Sequence, residues 1–283
     1  MKKIALIILF VFLLPNPALA QRSLLQQRIE ILRHEVSVLR MLTANMRINQ
    51  DIVADSYLAF DIENKKVLLE KNSNKSYPIA SITKLMSGLV ASENIRKEEK
   101  ISLTNEMLQP LGQSPCLYSG AAISSQDLIK ASLIQSSNDA PEALAIHLGK
   151  DRFLNLMNLK AQELGMRNTS FHDVHGLSPL NQSTASDLAK LLNYVYKNKP
   201  ELLSITRDND FWLPNSSGQM LKFQNVNNFY YLSSFVGGKT GYLPQARQTI
   251  ASVFNVKQKP VAVVVLYSTN RQADIFTIFR SLP

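Results

Sequence analysis

The chain has 283 residues, 45% of them hydrophobic, and a formal net charge of +9 at pH 7. That length and apolar content suffice to bury the core of one large domain or two lobes, which excludes a wholly disordered chain. A single cysteine, Cys116, excludes an internal disulfide, and the four histidines show no HExxH and no cysteine partner that would mark a metal site.

Residues 1–20 read as a secretory signal peptide. Lys2 and Lys3 give a basic start, residues 4–14 are apolar, and Ala18, Leu19 and Ala20 make a small-residue cleavage site. The apolar run is short for a membrane span. Two fates stay open, cleavage near Gln21 and retention as an anchor. An exported basic protein is drawn to anionic wall polymers or lipid head groups, although charge alone fits a soluble surface with no particular partner equally well.

Over residues 21–50 the spacing predicts an amphipathic helix. Leu25, Ile29, Leu32, Val36 and Leu39 form a narrow seam within 23–48 that fades at Thr43. Such a helix either docks on the main domain or offers a surface for self-association or a protein partner.

The rest, 51–283, reads as one domain. SYLAFDI and KVLLEKN flank the polar turn ENKK as a hairpin. Helices are predicted over 81–92, over 125–134 and 139–148 with QSSN between them, and over 152–164 with Gly165 as C-cap. SFHDVHGLS, with His172 and His175, reads as a turn, and a helix over 183–196 opens with the cap-like STASD. QTIASVFNV and KPVAVVVLYS form a second hairpin around Lys257 and Gln258, and RQADIFTIF ends the chain as a helix. Strands at both ends with helices between them predict an α+β (α/β) fold. Its antiparallel sheet comes from the N- and C-terminal parts, helices flank it, and a helical lobe is inserted. The seam between sheet and lobe is a natural cleft.

Ser81 and Lys84 stand three apart in PIASITKLMS. On a helix such side chains share a face, about 5–6 Å apart at Cβ. A lysine at its ordinary pKa, near 10.4, is protonated and no base; burial or a neighbouring cation frees the amine. Alone, the pair reads more readily as an N-cap serine beside a solvated lysine. Two companions change that. Lys239, Thr240 and Gly241 occur in FVGGKTGYLPQ and offer a carboxylate a cation and a hydroxyl, with glycines that let a backbone approach. Between the motifs, Ser136, Ser137 and Asn138 occupy the break between two helices. S-x-N recurs at Ser92 and at Ser268, but the first shares a helix with Ser81 and the second follows the K-T-G.

The order SxxK, SxN, KTG, together with LIQSSNDAPEALA, LGMRNTSFHDVHGLS and STASDLA, resembles the low-molecular-mass penicillin-binding proteins. These are D-alanyl-D-alanine carboxypeptidases or endopeptidases of the S11 serine peptidase type. The resemblance runs from about residue 52 to about residue 280 and implies a DD-peptidase/β-lactamase-like fold. It implies Ser81 as nucleophile, Lys84 as its base, and Ser136 as the relay of a proton to the leaving amine. Asn138 then binds substrate backbone and orders Lys84, while Lys239 helps keep Lys84 neutral. Lys239 and Thr240 hold a terminal carboxylate, with Arg271 in the place of a further carboxylate-binding arginine. Gly241 lies within the motif, and the backbone N–H groups of Ser81 and Tyr242 form an oxyanion hole. The implied ligands are peptidoglycan peptides ending in D-Ala, with β-lactams as covalent inhibitors. No cofactor and no nucleic acid are implied, and the location is the periplasm or the wall side of the cytoplasmic membrane.

Two departures stand out. Where the family often has Ala-Gly a few residues past the motif, this chain has Ala246 and Arg247, a cation that puts substrate preference in doubt. Many relatives carry a further β-rich domain and a C-terminal membrane-binding helix; with Pro283 as the last residue of this sequence, the resemblance implies the compact, endopeptidase-type members. Two other readings are a β-lactamase and a non-catalytic wall-binding scaffold. The first needs a deacylating glutamate; the nearest, Glu163, lies in a predicted helix without the Glu-x-x-Leu-Asn pattern. The second is opposed by the intact Ser81, Lys84, Ser136 and Lys239.

Overall fold

The β-branched run VAVVVL is buried without alternation, which requires cover on both faces of its strand. The computed structural model describes Arg28, residues 51–112, Ser114 and residues 116–283. The signal peptide and the helix of 21–50 therefore lie outside the described residues, save that Arg28 is helical. Residues 51–283 form one compact unit.

The chain enters through the hairpin β1 (Ser56–Asp61) and β2 (Lys66–Lys71). Short β3 (Tyr77–Pro78) leads into a 3₁₀ turn, Ala80–Ile82, and α1 (Thr83–Asn94). Next come β4 (Lys100–Ser102), β5 (Ala122–Ser124), α2 (Ser125–Ile134), α3 (Asp139–Leu148) and α4 (Lys150–Glu163). After β6 (Gln182–Ser183) follow α5 (Ala185–Asn198), the short α6 (Pro200–Ile205) and the hairpin β7 (Asp210–Pro214) with β8 (Met220–Gln224). The chain closes with β9 (Phe235–Leu243), β10 (Arg247–Val256), β11 (Lys259–Ser268) and α7 (Arg271–Ser281).

The main sheet has the order β2-β1-β11-β10-β9 and is antiparallel throughout. N- and C-terminal strands thus build one sheet, with helices α1 to α6 inserted between them, as the pattern predicts. Helices α5 and α7 both pack on β11. Local chemistry sets the ends of several elements. Ser124 caps α2 and Thr184 caps α5, each accepting from the third residue on, and Asn270 caps α7 in the same way. Gly165, at φ +69°, ends α4, and the Met166 N–H reaches back to the Ala161 carbonyl as a Schellman closure. The β10–β11 turn places Lys257 and Gln258 both at positive φ, the twist a two-residue hairpin needs.

Candidate active site

Four segments converge: the 3₁₀ turn with the start of α1, the turn 135–138 between α2 and α3, the edge strand β9, and the loop 173–178. Ser81 stands in the 3₁₀ turn, one step upstream of α1, which corrects the predicted helix start at residue 81. The turn is tight because Ala80 adopts φ +50°. A non-glycine residue held there costs about 1–3 kcal/mol, a strain typical of working sites.

Lys84 is completely buried in the first turn of α1. Its Nζ lies 3.0 Å from Ser81 Oγ, 2.7 Å from Asn138 Oδ1 and 2.5 Å from the His175 carbonyl oxygen. Burial pushes the Lys84 pKa from 10.5 down to about 7, with Asp173 pulling the other way. A neutral amine has two N–H donors and one lone pair. Two of the three neighbours, Asn138 Oδ1 and the His175 carbonyl, can only accept, so they take both donors. The lone pair is then left facing the Ser81 hydroxyl, the geometry of a base beside its proton.

Asn138 occupies the N-cap position of α3, yet its side chain makes no capping bond. Oδ1 turns to Lys84, and Nδ2 donates to the Leu111 carbonyl. Ser137 takes over the cap, accepting from the Ala140 N–H at 3.2 Å. Ser136 is half-buried at φ +64°, a second strained residue in the site. The hydrogen bonds of Lys84 and Lys239 go to other groups than the Ser136 hydroxyl.

Lys239 is buried, and its Nζ donates to the Thr240 carbonyl at 3.0 Å. Burial, then Lys84, then Arg271 push its pKa well below the ordinary lysine value. The two buried cations thus disfavour each other's charge, and burial is the main cause that lowers each of them. Gly241 brings β9 against the turn that carries Ser81: a Cβ there would lie 2.9 Å from the Ser81 nitrogen. Thr249, its partner across β10, donates from Oγ1 to the Ile79 carbonyl at 3.1 Å and ties the sheet to the turn.

Tyr242 is 64% exposed, and with Thr240, Gln248, Asn270 and Arg271 it lines a polar cleft of about 350 Å³. Arg271 Nη1 donates to the Gly241 carbonyl at 2.8 Å, so the guanidinium braces the K-T-G strand while facing this cleft. Arg247 stays out of it. Its guanidinium carbon stacks 4.4 Å from the ring centroid of Tyr267, and its φ of +52° is one that glycine adopts without strain.

The loop 173–178 was legible only as a turn. Asp173 Oδ1 accepts from the N–H groups of His175 at 3.1 Å and Gly176 at 2.5 Å. The fully buried Asn181 ties this loop to α1, donating to Thr83 Oγ1 at 3.0 Å and to Asp173 Oδ1 at 2.9 Å. Asp followed three residues later by Gly signals the turn. That its carbonyl would hold Lys84 has no side-chain signal at all.

A serine hydroxyl, a buried amine near neutrality and a polar cleft faced by Arg271 can together carry out acyl transfer. The model of the D-alanyl-D-alanine carboxypeptidase family, S11, matches residues 43–270. The chain belongs to this peptidase family. It is 32% identical to the D-alanyl-D-alanine endopeptidase of Haemophilus influenzae over 226 residues, 77% of each protein. It is 33% identical to that of Escherichia coli K12 over 229 residues, 76% of this chain and 72% of the relative. Among solved structures, a D-alanyl-D-alanine carboxypeptidase from Mycobacterium tuberculosis superposes with a TM-score of 0.77 at 25% identity, covering 82% of this chain and 91% of that one. Penicillin-binding protein D2 from Listeria monocytogenes, in its cefotaxime-bound form, gives 0.71 at 27% identity, covering 83% and 97%. The expected DD-peptidase fold and family are both shown.

Proposed function

We propose that this S11 peptidase hydrolyses crosslinked peptidoglycan peptides as a serine D-alanyl-D-alanine endopeptidase, through an acyl-enzyme on Ser81. The observation that carries the chemistry is the buried Lys84 amine, 3.0 Å from Ser81 Oγ, with its pKa lowered to about 7. Lys84 Nζ takes the hydroxyl proton as Oγ attacks the carbonyl on the acyl side of the scissile D-amide. The backbone N–H groups of Ser81 and Tyr242 receive the oxyanion. Ser136 relays the proton from Lys84 to the nitrogen as the C–N bond breaks, the amine strand leaves, and water, giving a proton to the freed Lys84 amine, then hydrolyses the ester and returns Ser81 to its hydroxyl form. Lys239 and Thr240 hold the carboxylate of the leaving residue. A carboxylate there favours protonated Lys239, whose charge in turn favours neutral Lys84.

Two facts favour a crosslink over a terminal D-alanine. The relatives with which the chain shares 32% and 33% identity are named endopeptidases. The polar cleft beside Thr240 gives room for a leaving residue that carries a second peptide. Slow deacylation, and hence stable labelling by penicillins, is expected, because Glu163 at the end of α4 is exposed and paired with Lys160 at 2.8 Å, while Lys84 is held by Ser81, Asn138 and His175. The leader-like pattern of residues 1–20, a basic start before an apolar run and a small-residue site, supports an exported enzyme at the wall, with 51–283 as its catalytic domain. The test gives the purified protein a crosslinked muropeptide dimer and a peptide ending in D-Ala-D-Ala. Dimers resolved to monomers with little free D-alanine support the endopeptidase. Free D-alanine with intact dimers would make it a carboxypeptidase, and neither product would reject the peptidase reading.

A further inference from the structure

We propose that Glu142 is a positioning residue for the Lys84 amine, acting through His175. The proposal rests on Lys84 being the base and adds a control from outside the three motifs. Glu142 lies in the first turn of α3 and is only 4% exposed. Its Oε1 accepts from Lys150 at the start of α4. Its Oε2 is buried with no hydrogen-bond partner and lies 3.8 Å from His175 Nε2. A buried carboxylate oxygen without a donor is costly, and an apolar side chain at this position would avoid the cost.

His175 links this carboxylate to the base. Its Nδ1 lies 3.3 Å from the Leu177 nitrogen, whose N–H it accepts, and 3.4 Å from Asp173 Oδ1; in the tautomer that keeps the Leu177 bond, the ring proton is on Nε2 and faces Glu142. Its backbone carbonyl holds Lys84 Nζ at 2.5 Å. One residue therefore carries the α3–α4 charge pair on its ring and the catalytic amine on its backbone. The 3.8 Å separation is electrostatic contact rather than a hydrogen bond, so the pull on the ring depends on charge. Four charged groups face the imidazole. Asp173 and Glu142 favour its protonation, Lys84 and Lys150 oppose it, and burial outweighs them and lowers its pKa below 6.5. At neutral pH the ring is uncharged, and its Nε2–H dipole points at the carboxylate.

The test measures the acylation step with a chromogenic β-lactam, separating the saturation constant from the limiting rate, in Glu142→Gln, His175→Gln and the double variant. Glutamine keeps the size of each side chain, and thermal unfolding checks the fold. Glu142→Gln is expected to slow the limiting rate about tenfold, the scale of a sub-ångström misplacement, with the saturation constant unchanged. The double variant should be no slower than His175→Gln alone, because both act along one path. The His175 ring resonances of Glu142→Gln should also titrate at lower pH than in the parent, since a carboxylate that favours the protonated ring is gone. A parental acylation rate in Glu142→Gln, or effects that multiply in the double variant, would overturn the proposal. If Lys84→Met still abolishes acylation in that case, the reading of Lys84 itself stands.

Discussion

Lys84→Met will slow acylation of the protein by penicillin about 10³-fold, the usual range for removing a positioned base. Methionine is as long as the lysine stem and suits a fully buried site, but it cannot accept the Ser81 proton. The loss in stability should stay near 2 kcal/mol. The substitution leaves Asn138 Oδ1 and the His175 carbonyl without a donor but also removes a buried amine whose charged form burial disfavours. The pH dependence gives a sharper signature. With its pKa at about 7, Lys84 carries a proton below that pH and is free above it. Acylation of the parent should therefore rise as pH increases through about 7 and level off above, and this limb should vanish in the variant. Stopped-flow acylation from about pH 5 to about pH 9 reads both effects. A variant that keeps the limb would move the base elsewhere.

Gly176→Ala should cost both folding and activity. Gly176 has φ +85°, and a Cβ there would fall 2.1 Å from the Ala80 carbonyl oxygen and 3.0 Å from the Ser81 nitrogen. The obstructing atoms are backbone, so no rotamer change relieves the clash. Ala80 already sits at φ +50°, leaving the turn little freedom to retreat. A destabilisation of about 2–4 kcal/mol is expected, combining strain at a special φ with forced backbone movement. Any relaxation must move the Ser81 amide, the proposed oxyanion donor, so the molecules that still fold should acylate at least about 10²-fold more slowly. Chemical denaturation and acylation kinetics on the same sample separate the two effects. A variant of parental stability and rate would show that loop 173–178 does not abut the nucleophile turn.

Much of the fold could be read directly because long segments repeat one period. The two hairpins that build the sheet, and helices α2, α3, α4, α5 and α7, fall within a few residues of their predicted places. Strand β9 was not read as a strand, since Gly237, Gly238 and Gly241 weaken any β signal. Pairing with β10 supplies what propensity does not. The hairpin β7–β8 was also missed. Its turn signals, Asn215 and Gly218, were present, but the outward residues Trp212 and Met220 break the apolar–polar alternation. In the site, residue identity located Ser81, Lys84, Asn138 and Lys239 because their chemistry resides in side chains. The His175 carbonyl, the tight turn at Gly176 and the bracing of β9 by Arg271 depend on backbone placement that no side-chain motif encodes. The doubt raised by Arg247 came from a one-dimensional neighbour; in three dimensions the guanidinium stacks on Tyr267.

The most direct measurement is the intact mass of the protein after incubation with benzylpenicillin, parent against Ser81→Ala. The account predicts that the parent gains the mass of one opened penicillin and keeps it through a desalting step. The alanine variant, folded by the same melting criterion, gains nothing. Equal labelling of both proteins, or no adduct on the parent, would contradict an acyl-enzyme on Ser81.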